Sequence, residues 1–454
     1  MKIYFMGIGG ISMSGLAKLY KLKGHEISGS DITRSDLTDE LIGMGITVYY
    51  KQEASNITPD IDKLVYTAAI RDDNPELMRA KELGIPLITR AEVLGKVMSD
   101  CENPISIAGT HGKTTVTGML SQIFLTAGHD PSISIGGVLP VINSNFRAGS
   151  GNVFIAESCE YKNSFLSLKP KYGAVLNIEA DHLDFFKDLS DIRHSFREFI
   201  SGFAPTGALV INGEIEDIDY LTADIRFPKE NIITYGLSEE YEYYAGDIAQ
   251  DEKGHPVFNL YHNKEKLFEI RLSVFGIHNI SNAVASSALA LTAGISGEHI
   301  KTALYEFTGT GRRFELKGHL PNGVTIIDDY AHHPTEIKAT LTTAKKLSFN
   351  RVVCIFQPHT YSRTKALLED FVDALSLADL VILPDIYPAR EPFDPTISSG
   401  DIARLLTENG IEAHYIPTFE ESEKFLRNNC IDKDLLITMG AGNVNTIGES
   451  LLKG

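Results

Sequence analysis

Residues 105–115 constrain the fold most, because an apolar run there leads into a glycine turn that is followed by Lys113 and Thr114. Apolar residues then recur every three or four positions as far as Ala127, which predicts a helix ended by Gly128. A strand, a glycine turn and a helix in this order direct backbone N–H groups to one place, where Lys113 adds positive charge and Thr114 can bind Mg²⁺. The pattern is typical of a loop that binds the phosphates of a nucleotide.

The candidate loop is shorter than the general nucleotide-binding loop, which has a glycine where this chain has Ile107. An ordinary strand-to-helix turn with a surface lysine is the alternative, but the order of glycines, lysine, threonine and amphipathic helix favours phosphate binding. The residues expected to contact phosphates are Gly109, Thr110, His111, Gly112, Lys113, Thr114 and Thr115.

A chain of 454 residues is long enough for about three domains of ~150 residues each. Its net charge of −18 opposes non-specific binding to nucleic acid or anionic lipid. No apolar run approaches the ~18 residues of a membrane span, and the N-terminus lacks the apolar centre of a signal peptide, so a cytoplasmic protein is expected. The four cysteines have no C-x-x-C spacing, which argues against a zinc site and a disulfide framework.

The N-terminal stretch has the pattern of a dinucleotide-type α/β domain. A predicted strand at residues 2–6 leads into a glycine-rich loop and a helix, and a second predicted strand follows. Ser12 replaces the third glycine of the usual motif, and the signal alone is weak because any tight strand–helix turn needs glycine. Strands and helices continue to alternate up to a polar stretch at residues 99–104, the first expected domain boundary. The candidate ligand contacts are Gly7, Gly9, Gly10, Ile11 and Asp31.

Two strands of the second predicted domain run into possible metal ligands. Residues 152–157 end in Glu157, and residues 174–184 contain His182. Parallel strands end at one edge of a sheet, so both side chains could reach a metal ion beside Lys113. A capping carboxylate and a packed histidine are the alternatives, and the joint placement of the two residues favours the metal.

Residues 230–275 have the short alternating runs of antiparallel hairpins, and an alanine-rich helix follows to about residue 293. Asn279 and Asn282 share one face of its first turn, where they could bind a ligand or cap the helix, and their spacing leaves both open. A second domain boundary is expected near residues 309–311.

The remaining chain has the strand–helix alternation of a third doubly wound unit, with polar groups at several strand ends. The predicted strands lie near 324–328, 351–356, 379–383, 414–416 and 434–438. The predicted helices lie near 335–347, 363–376, 399–409, 419–428 and 443–452.

These parts together indicate ATP consumption beside a separately bound, nucleotide-like substrate. A GTPase would need an N-K-x-D signature, which the chain lacks, and a nicotinamide oxidoreductase would leave Lys113 and Thr114 unexplained. No Ser-His-Asp or Cys-His arrangement stands out in the local sequence, which leaves phosphoryl activation as the simplest chemistry.

Seven motifs, which span essentially the whole chain, resemble those of the Mur ligases, enzymes of peptidoglycan synthesis, and occur in the same order. The short phosphate loop with Ile107 is the form that this family has. The motifs are Gly7-Ile8-Gly9-Gly10 with Gly29-Ser30-Asp31; residues 109–115; Asn177-Ile178-Glu179-Ala180-Asp181-His182-Leu183-Asp184; His278-Asn279 with Asn282; Arg312-Arg313-Phe314-Glu315; Asp329-Tyr330-Ala331-His332-His333-Pro334-Thr335-Glu336; and Gln357-Pro358-His359-Thr360-Tyr361-Ser362-Arg363.

The resemblance implies an α/β protein with three domains. These are a Rossmann-like UDP-sugar-binding domain at 1–100, a central P-loop ATPase-like domain with an antiparallel β appendage at 101–309, and a Rossmann-like C-terminal domain at 310–454 that contacts ATP and the amino acid. It implies an ATP-dependent, amide-forming ligase that phosphorylates the lactyl carboxylate of UDP-N-acetylmuramate and joins it to L-alanine. A monomer or weak homodimer is expected.

Two other activities are considered. Within the family, the alternative is addition of an intact tripeptide to the same sugar during cell-wall recycling. Residues 177–184 and 359–363 look more like the alanine-adding branch. Outside the family, a nucleotide-binding regulator would bind ATP without forming an amide.

The resemblance also implies roles for single residues. Lys113 is expected at the γ-phosphate, Thr114 and Glu157 at Mg²⁺, and His182 at a second Mg²⁺. The implied nucleotide contacts are Asn279, Asn282, Arg313 and Asp329, with Arg312 and Asp328 as register alternatives. Residues expected near the acyl group and the incoming alanine are His332, His359, Tyr361 and Arg363.

Two positions depart from the family pattern. Ser158-Cys159-Glu160 follows Glu157 where other branches have Ser-Asp, so the surroundings of Glu157 are left open. Thr360 replaces an arginine beside the expected alanine site, which leaves Arg363 and backbone groups to bind the alanine carboxylate.

Overall fold

The computed structural model describes residues 1–67, 70–183, 185–389 and 391–453, in which three β-sheets follow one another along the chain with helices on their faces. This confirms the predicted α/β class with parallel sheets. Asp184, part of one quoted motif, lies outside the described residues. Within the described ranges, no helix is long and apolar enough to cross a membrane.

The first sheet has five parallel strands in the order β3-β2-β1-β4-β5. Its strands are β1 (Lys2–Met6), β2 (Glu26–Ser30), β3 (Thr47–Tyr49), β4 (Lys63–Tyr66) and β5 (Leu87–Thr89). Its helices are α1 (Ile11–Leu22), α2 (Asp36–Gly43), α3 (Pro75–Glu82) and α4 (Arg90–Ser99). The buried Glu76 of α3 accepts hydrogen bonds from Tyr4 and Ser30 at 2.7 and 2.6 Å, so its carboxylate joins the helix to two strands.

The second sheet has ten strands in the order β15-β14-β13-β12-β11-β10-β6-β9-β7-β8. Its strands are β6 (Asn103–Ala108), β7 (Ser132–Leu139), β8 (Ser144–Arg147), β9 (Val153–Glu157), β10 (Tyr172–Val175), β11 (Ala208–Asn212), β12 (Ile232–Gly236), β13 (Tyr243–Gln250), β14 (Pro256–His262) and β15 (Glu265–Arg271). Its helices are α5 (Lys113–Thr126), α6 (Leu189–Ser201), α7 (Ile218–Leu221), α8 (Ile277–Thr292) and α9 (Gly297–Glu306). The hairpins predicted after residue 230 are present as β13–β15, whereas β12 pairs in parallel with β11, so the hairpins extend the main sheet.

The third sheet has six strands in the order β16-β17-β21-β18-β19-β20. Its strands are β16 (Glu315–His319), β17 (Thr325–Asp329), β18 (Arg351–Phe356), β19 (Leu380–Leu383), β20 (Glu412–Tyr415) and β21 (Asp434–Met439). Its helices are α10 (Pro334–Lys345), α11 (Tyr361–Ala366), α12 (Leu368–Leu375), α13 (Ser399–Glu408), α14 (Phe419–Asn429) and α15 (Asn445–Lys453). One predicted helix divides into α11 and α12 because Leu367 leaves helical geometry, with φ −116° and ψ 25°.

Close backbone approach joins the first sheet's helices to the second sheet. A Cβ on Gly15 of α1 would lie 2.3 Å from the Phe146 ring of β8. A Cβ on Gly95 of α4 would lie 2.1 Å from the carbonyl oxygen of Ser167. Phe146 and Phe154 belong to the apolar cluster that fills the first sheet, so the two units share one continuous core.

Replacement of Gly95 tests this contact. Gly95→Ala should lower the melting temperature by several degrees, because overpacking against fixed backbone costs about 1–3 kcal/mol. Gly43→Ala is the matched control, since Gly43 ends α2 and a methyl group on it would meet no heavy atom within 4 Å. Alanine there should leave stability unchanged or raise it by up to ~1 kcal/mol through helix propensity. Equal melting of both variants in a thermal unfolding scan would contradict the close contact.

Candidate active site

Residues 109–112 form the loop that connects β6 to α5, and α5 begins at Lys113, as the sequence predicts. Gly109 and Gly112 have φ values of +146° and +81°, which L side chains rarely adopt. A Cβ on Gly112 would also lie 2.8 Å from the Asn282 side-chain oxygen. The two glycines therefore allow the turn that directs the start of α5 toward the neighbouring helix α8.

Lys113, the first residue of α5, is held by hydrogen-bond acceptors of nearby residues. Its Nζ donates to the carbonyl oxygens of Gly109 and Thr110, the latter at 3.0 Å, and pairs with Glu160 Oε2 at 3.0 Å. Burial alone would lower the pKa of Lys113, but the Glu160 carboxylate and other nearby anionic groups outweigh it and raise that pKa. The ammonium group thus stays charged in a buried position.

Glu160 is a candidate functional residue to which the sequence assigns no role. Its side chain is only 3% exposed, and its Oε1 lies 3.9 Å from His182 Nε2. It sits in the stretch that departs from the family pattern, three residues after Glu157. The sequence shows a carboxylate at this position. It does not show that the partner is Lys113, which lies 47 residues away along the chain.

The predicted metal ligands surround Lys113. Glu157 Oε2 accepts hydrogen bonds from the Thr114 hydroxyl at 2.9 Å and from the Gly136 N–H at 2.8 Å. A Cβ on Gly136 would lie 2.8 Å from Glu157, so glycine leaves room for this carboxylate. His182 also lies near Glu160, and it takes a positive φ of 54°. Hydroxyl, carboxylate and imidazole groups are thus gathered at one place, and the oxygen donors suit Mg²⁺.

A cavity lies between the second and third sheets and has the phosphate loop as one wall. Thr310 belongs to its lining, and the buried Thr310 hydroxyl has no hydrogen-bond partner among the described residues. The predicted contacts that line it are His111, Gly112, Thr115, Asn279, Asn282, Arg313 and Asp329.

The two asparagines of α8 form one unit. Asn279 donates to the Phe275 carbonyl oxygen at 2.7 Å and accepts from Asn282 at 3.0 Å. Asn279 therefore connects the first turn of α8 to the preceding backbone at Phe275, and it also orients Asn282 beside Gly112. The start of α8 at Gly276 has no side-chain cap, so the capping alternative is wrong, and ligand binding by the pair stays a prediction.

The register alternatives in the third unit have different surroundings. Arg313 and Asp329 line the cavity, and Arg313 lies 3.5 Å from Glu336. Burial raises the pKa of Asp329 to about 6, although Arg313 opposes that shift. Arg312 instead pairs with Asp328 at 2.9 Å, outside the cavity lining.

His111 links the phosphate loop to the third unit. Its Nδ1 lies 3.3 Å from Glu336 and its Nε2 lies 3.5 Å from Glu179. Glu179 also accepts a hydrogen bond of 2.7 Å from the Thr335 hydroxyl, and the His333 ring lies 4.7 Å from the His111 ring. Burial opposes the charge on His111, but Glu336 and Glu179 outweigh it and raise its pKa to about 9.

Arg363 and Asp181 form a second link between the second and third units. We call the boundary between these two units, which His111 also crosses, the seam. Arg363 donates to Asp181 Oδ1 through Nη2 at 2.7 Å and through Nε at 3.2 Å. Its Nη1 lies 3.0 Å from His359 Nδ1. Thr360, the departure from the family pattern, takes a φ of +70° and caps α11 by accepting the Arg363 N–H. Thr360 thus orients Arg363 without providing a charge.

The remaining predicted residues of the third unit are His332, His359 and Tyr361. His332 Nδ1 lies 3.1 Å from the Tyr330 carbonyl oxygen and 3.3 Å from Glu336. Burial lowers the pKa of His332 to about 3 and that of His359 to about 4, so both rings are neutral. The Tyr361 ring packs edge-on against the exposed Phe393 ring at 5.9 Å.

The N-terminal candidates form a separate cluster. The Gly9 N–H donates to Asp31 Oδ2 at 2.9 Å, and Asp31 Oδ1 accepts from the Thr33 N–H at 3.0 Å. Gly7 takes a φ of +75°, and the Gly10 carbonyl oxygen accepts from the Ser14 N–H of α1. Ile11 is half exposed at the start of α1. The glycine loop and Asp31 therefore meet at one end of β1 and β2.

The His111 ion pairs predict a pH-dependent stability. Imidazole titrates near 6.5 in an unfolded chain and at about 9 here, so the stabilisation is complete below about pH 6.5 and is lost as pH rises through 9. His111→Gln removes the charge, so its melting temperature should be lowest relative to wild type near pH 6, with the gap closed by about pH 10. Calorimetric scans at several pH values would measure the gap. A gap independent of pH would contradict the assignment.

Comparison with protein families gives three matches in chain order. Residues 2–101 match the Mur ligase family catalytic domain, residues 107–290 the Mur ligase middle domain, and residues 312–442 the Mur ligase glutamate ligase domain.

Relatives match over nearly the whole chain. A UDP-N-acetylmuramate–L-alanine ligase from Agathobacter rectalis is 56% identical, covering 99% of this chain and 97% of its own. A protein of the same name from Lachnospira eligens is 53% identical, covering 99% and 98%.

Among solved structures, the UDP-N-acetylmuramate-alanine ligase from Thermotoga maritima superposes with a TM-score of 0.85 at 29% identity, covering 100% of this chain and 98% of its own. A murein peptide ligase from Psychrobacter arcticus shares the fold, with a TM-score of 0.75 at 24% identity and coverage of 100% and 98%. The family matches and these full-length similarities agree with the geometry of the loop and the seam, and this chain belongs to the Mur ligase family.

Proposed function

We propose that this Mur ligase joins L-alanine to the lactyl carboxylate of UDP-N-acetylmuramate and converts ATP to ADP and phosphate. Relatives at 56% and 53% identity carry the name of that activity. The observation that carries the proposal is the cavity whose walls are the phosphate loop on one side and Arg313 with Asp329 on the other. Phosphoryl transfer depends on positioning and charge stabilisation of this kind.

The proposed division of labour follows three segments of the chain. Residues 1–100 bind the UDP sugar, residues 101–309 bind ATP, and residues 310–454 bind the amino acid and complete the ATP site. The UDP-sugar contacts are Gly7, Gly9, Gly10, Ile11 and Asp31, which cluster beside β1 and β2. We propose that the protein works in the cytoplasm as a monomer or weak homodimer, independently of nucleic acid and membranes.

The chemistry requires activation because a carboxylate is a poor electrophile. A carboxylate oxygen attacks the γ-phosphorus of ATP, and ADP leaves. The alanine ammonium group first loses one proton to solvent. The resulting amine attacks the carbonyl carbon of the acyl phosphate, phosphate leaves, and the nitrogen loses a second proton as the amide forms. Charge builds up on the transferred phosphoryl group, which is where Lys113 would act.

We propose that Lys113 binds the γ-phosphate and gives up one of its present contacts when it does so. Its three acceptors are two loop carbonyl oxygens and Glu160, so a phosphate oxygen can replace one of them without leaving the ammonium unpaired. The oxygen-rich donor set fits Mg²⁺, with Thr114 and Glu157 as ligands of one ion and His182 as a ligand of a second. Mg²⁺ would neutralise phosphate charge there.

The nucleoside part of ATP is assigned to the cavity. Asn279 and Asn282 face the loop from α8, and Arg313 and Asp329 face it from the third unit. Arg313 and Asp329 are preferred to Arg312 and Asp328, because the latter two neutralise each other outside the cavity lining. The incoming alanine is assigned to Arg363, with His332, His359 and Tyr361 nearby.

Addition of an intact tripeptide to the same sugar is the second candidate activity. It rests on a solved structure, 26% identical to this chain, whose name is UDP-N-acetylmuramate:L-alanyl-γ-D-glutamyl-meso-diaminopimelate ligase. The higher identity of the alanine-ligase relatives favours alanine.

Substrate choice decides between the activities. Phosphate release with ATP and UDP-N-acetylmuramate should be much faster with L-alanine than with L-alanyl-γ-D-glutamyl-diaminopimelate, and mass spectrometry should detect the alanine amide. A preference for the tripeptide would overturn the proposal in favour of the recycling activity. ATP binding with no amide product from either acceptor would identify a regulator.

Replacement of Lys113 should abolish the chemistry at the ATP site and leave binding at the UDP-sugar site unchanged. Lys113→Ala should reduce ligation by at least about 10³-fold, because phosphoryl-transfer charge loses its counterion. The dissociation constant of UDP-N-acetylmuramate, measured by calorimetry, should stay near the wild-type value. Glu160 would be left buried without its partner, so Lys113→Ala with Glu160→Gln is the stability-matched control. Loss of UDP-sugar binding in the folded double variant would contradict the separation of the sites.

A further inference from the structure

The Arg363–Asp181 pair is a buried pair of opposite charges on the amino-acid side of the seam. The two side chains are only 11% and 7% exposed, and Nη2 and Nε of Arg363 both donate to the same oxygen, Asp181 Oδ1. The other oxygen of Asp181 lies 3.8 Å from His182 Nε2. A buried charge without a partner is costly, so the pair keeps both groups compensated while the substrate is absent.

The pair matches the charges of an α-amino acid. Near neutral pH such a molecule carries a carboxylate and an ammonium group on one carbon atom. If its carboxylate takes Arg363 and its ammonium group takes Asp181, each buried charge exchanges one opposite partner for another. The exchange therefore leaves neither charge alone, which removing either residue would do.

We propose that Asp181 is the receptor for the ammonium group of the incoming amino acid, and that the zwitterion replaces the Asp181–Arg363 pair with two ion pairs of its own. This inference rests on the proposed function, in which Arg363 binds the amino-acid carboxylate. It adds a substrate contact for Asp181 and a reason for selecting zwitterions.

The surroundings of Asp181 suit a receptor for a cation. Both donors of Arg363 bind the same oxygen, Asp181 Oδ1, so the Asp181 carboxylate is already paired with a positively charged group. His332 and His359 beside the pair are neutral, which leaves Asp181 and Arg363 as the opposed charges there.

The position of Asp181 also suits the reaction. It immediately precedes His182, which lies 3.9 Å from Glu160, the partner of Lys113. An amino group bound at Asp181 would thus lie on the side of the seam that faces the phosphate loop. The bound ammonium group would lose one proton to solvent, and the resulting amine could then attack the acyl phosphate.

L-Lactate tests the proposal, because it has the shape and carboxylate of L-alanine but a hydroxyl in place of the ammonium group. The measurements are the KM of L-alanine and the inhibition constant of L-lactate against L-alanine. Asp181→Asn should raise the KM about 10- to 100-fold, the loss expected for a charge-assisted contact, and should leave lactate inhibition within about threefold or tighten it. Arg363→Gln should weaken both ligands by similar factors, because both carry the carboxylate.

A control separates recognition from a purely structural link across the seam. Thr335→Val removes the 2.7 Å hydrogen bond to Glu179 at the same seam and should affect alanine and lactate equally. The melting temperature and the KM of ATP check the integrity of each variant. If Asp181→Asn is too slow for kinetics, calorimetric titration of alanine and lactate in the presence of UDP-N-acetylmuramate and a non-hydrolysable ATP analogue gives the same ratio.

Two results would overturn the inference. In the first, the wild-type enzyme ligates alanine, but Asp181→Asn leaves the alanine KM unchanged or weakens alanine and lactate by one common factor. Asp181 is then only a structural link, and the proposed function stands. In the second, the wild-type enzyme ligates no alanine, which removes the proposed function and this inference together.

Discussion

The pairing of opposite charges across the seam between the second and third sheets is the interaction on which the candidate active site depends. Arg363 pairs with Asp181, and His111 lies between Glu336 and Glu179. These groups are largely buried, so a charge without its partner would cost several kcal/mol. The same pairs therefore hold the two units together and keep the site charged.

The phosphate loop follows the same principle within one unit. Lys113 is buried and keeps its charge because Glu160 and two carbonyl oxygens surround it. A substrate anion that arrives at such a site competes with a protein anion that is already present. The substrate anion then replaces one protein acceptor, so Lys113 stays paired throughout. The protein's own acceptors hold Lys113 in position before the substrate binds.

The two seams of the molecule differ in physical character. The seam between the first and second sheets is apolar and includes backbone contact at Gly15 and Gly95, so displacement there would open a packed core. The seam beside the cavity includes the ion pairs of His111 and Arg363, which can re-form with water or substrate. Motion that admits substrates and releases products is therefore expected at the second seam.

Elements with local signals could be predicted from the amino-acid order alone. The phosphate loop is one, because its glycines, Lys113 and Thr114 are neighbours in the chain, and most strands of the third unit are others, because apolar periodicity extends over a few residues. Edge strand β16 could not be predicted, because its sequence Glu-Leu-Lys-Gly-His is mostly polar and its pairing shifts register between Leu316 and Gly318, so it carries no clear apolar pattern. The parallel pairing of β12 was missed because strand direction depends on a distant partner.

Which charged groups meet was settled by the folding of distant segments against each other. Glu160 contacts Lys113 although 47 positions separate them in the chain, and Arg363 contacts Asp181 although 182 positions separate them. The choice between Arg312 and Arg313 likewise depends on which side chain turns to the cavity and which turns to Asp328. Local sequence carries the chemistry of each group, but ion pairing depends on distance and burial, and these arise only in the tertiary structure.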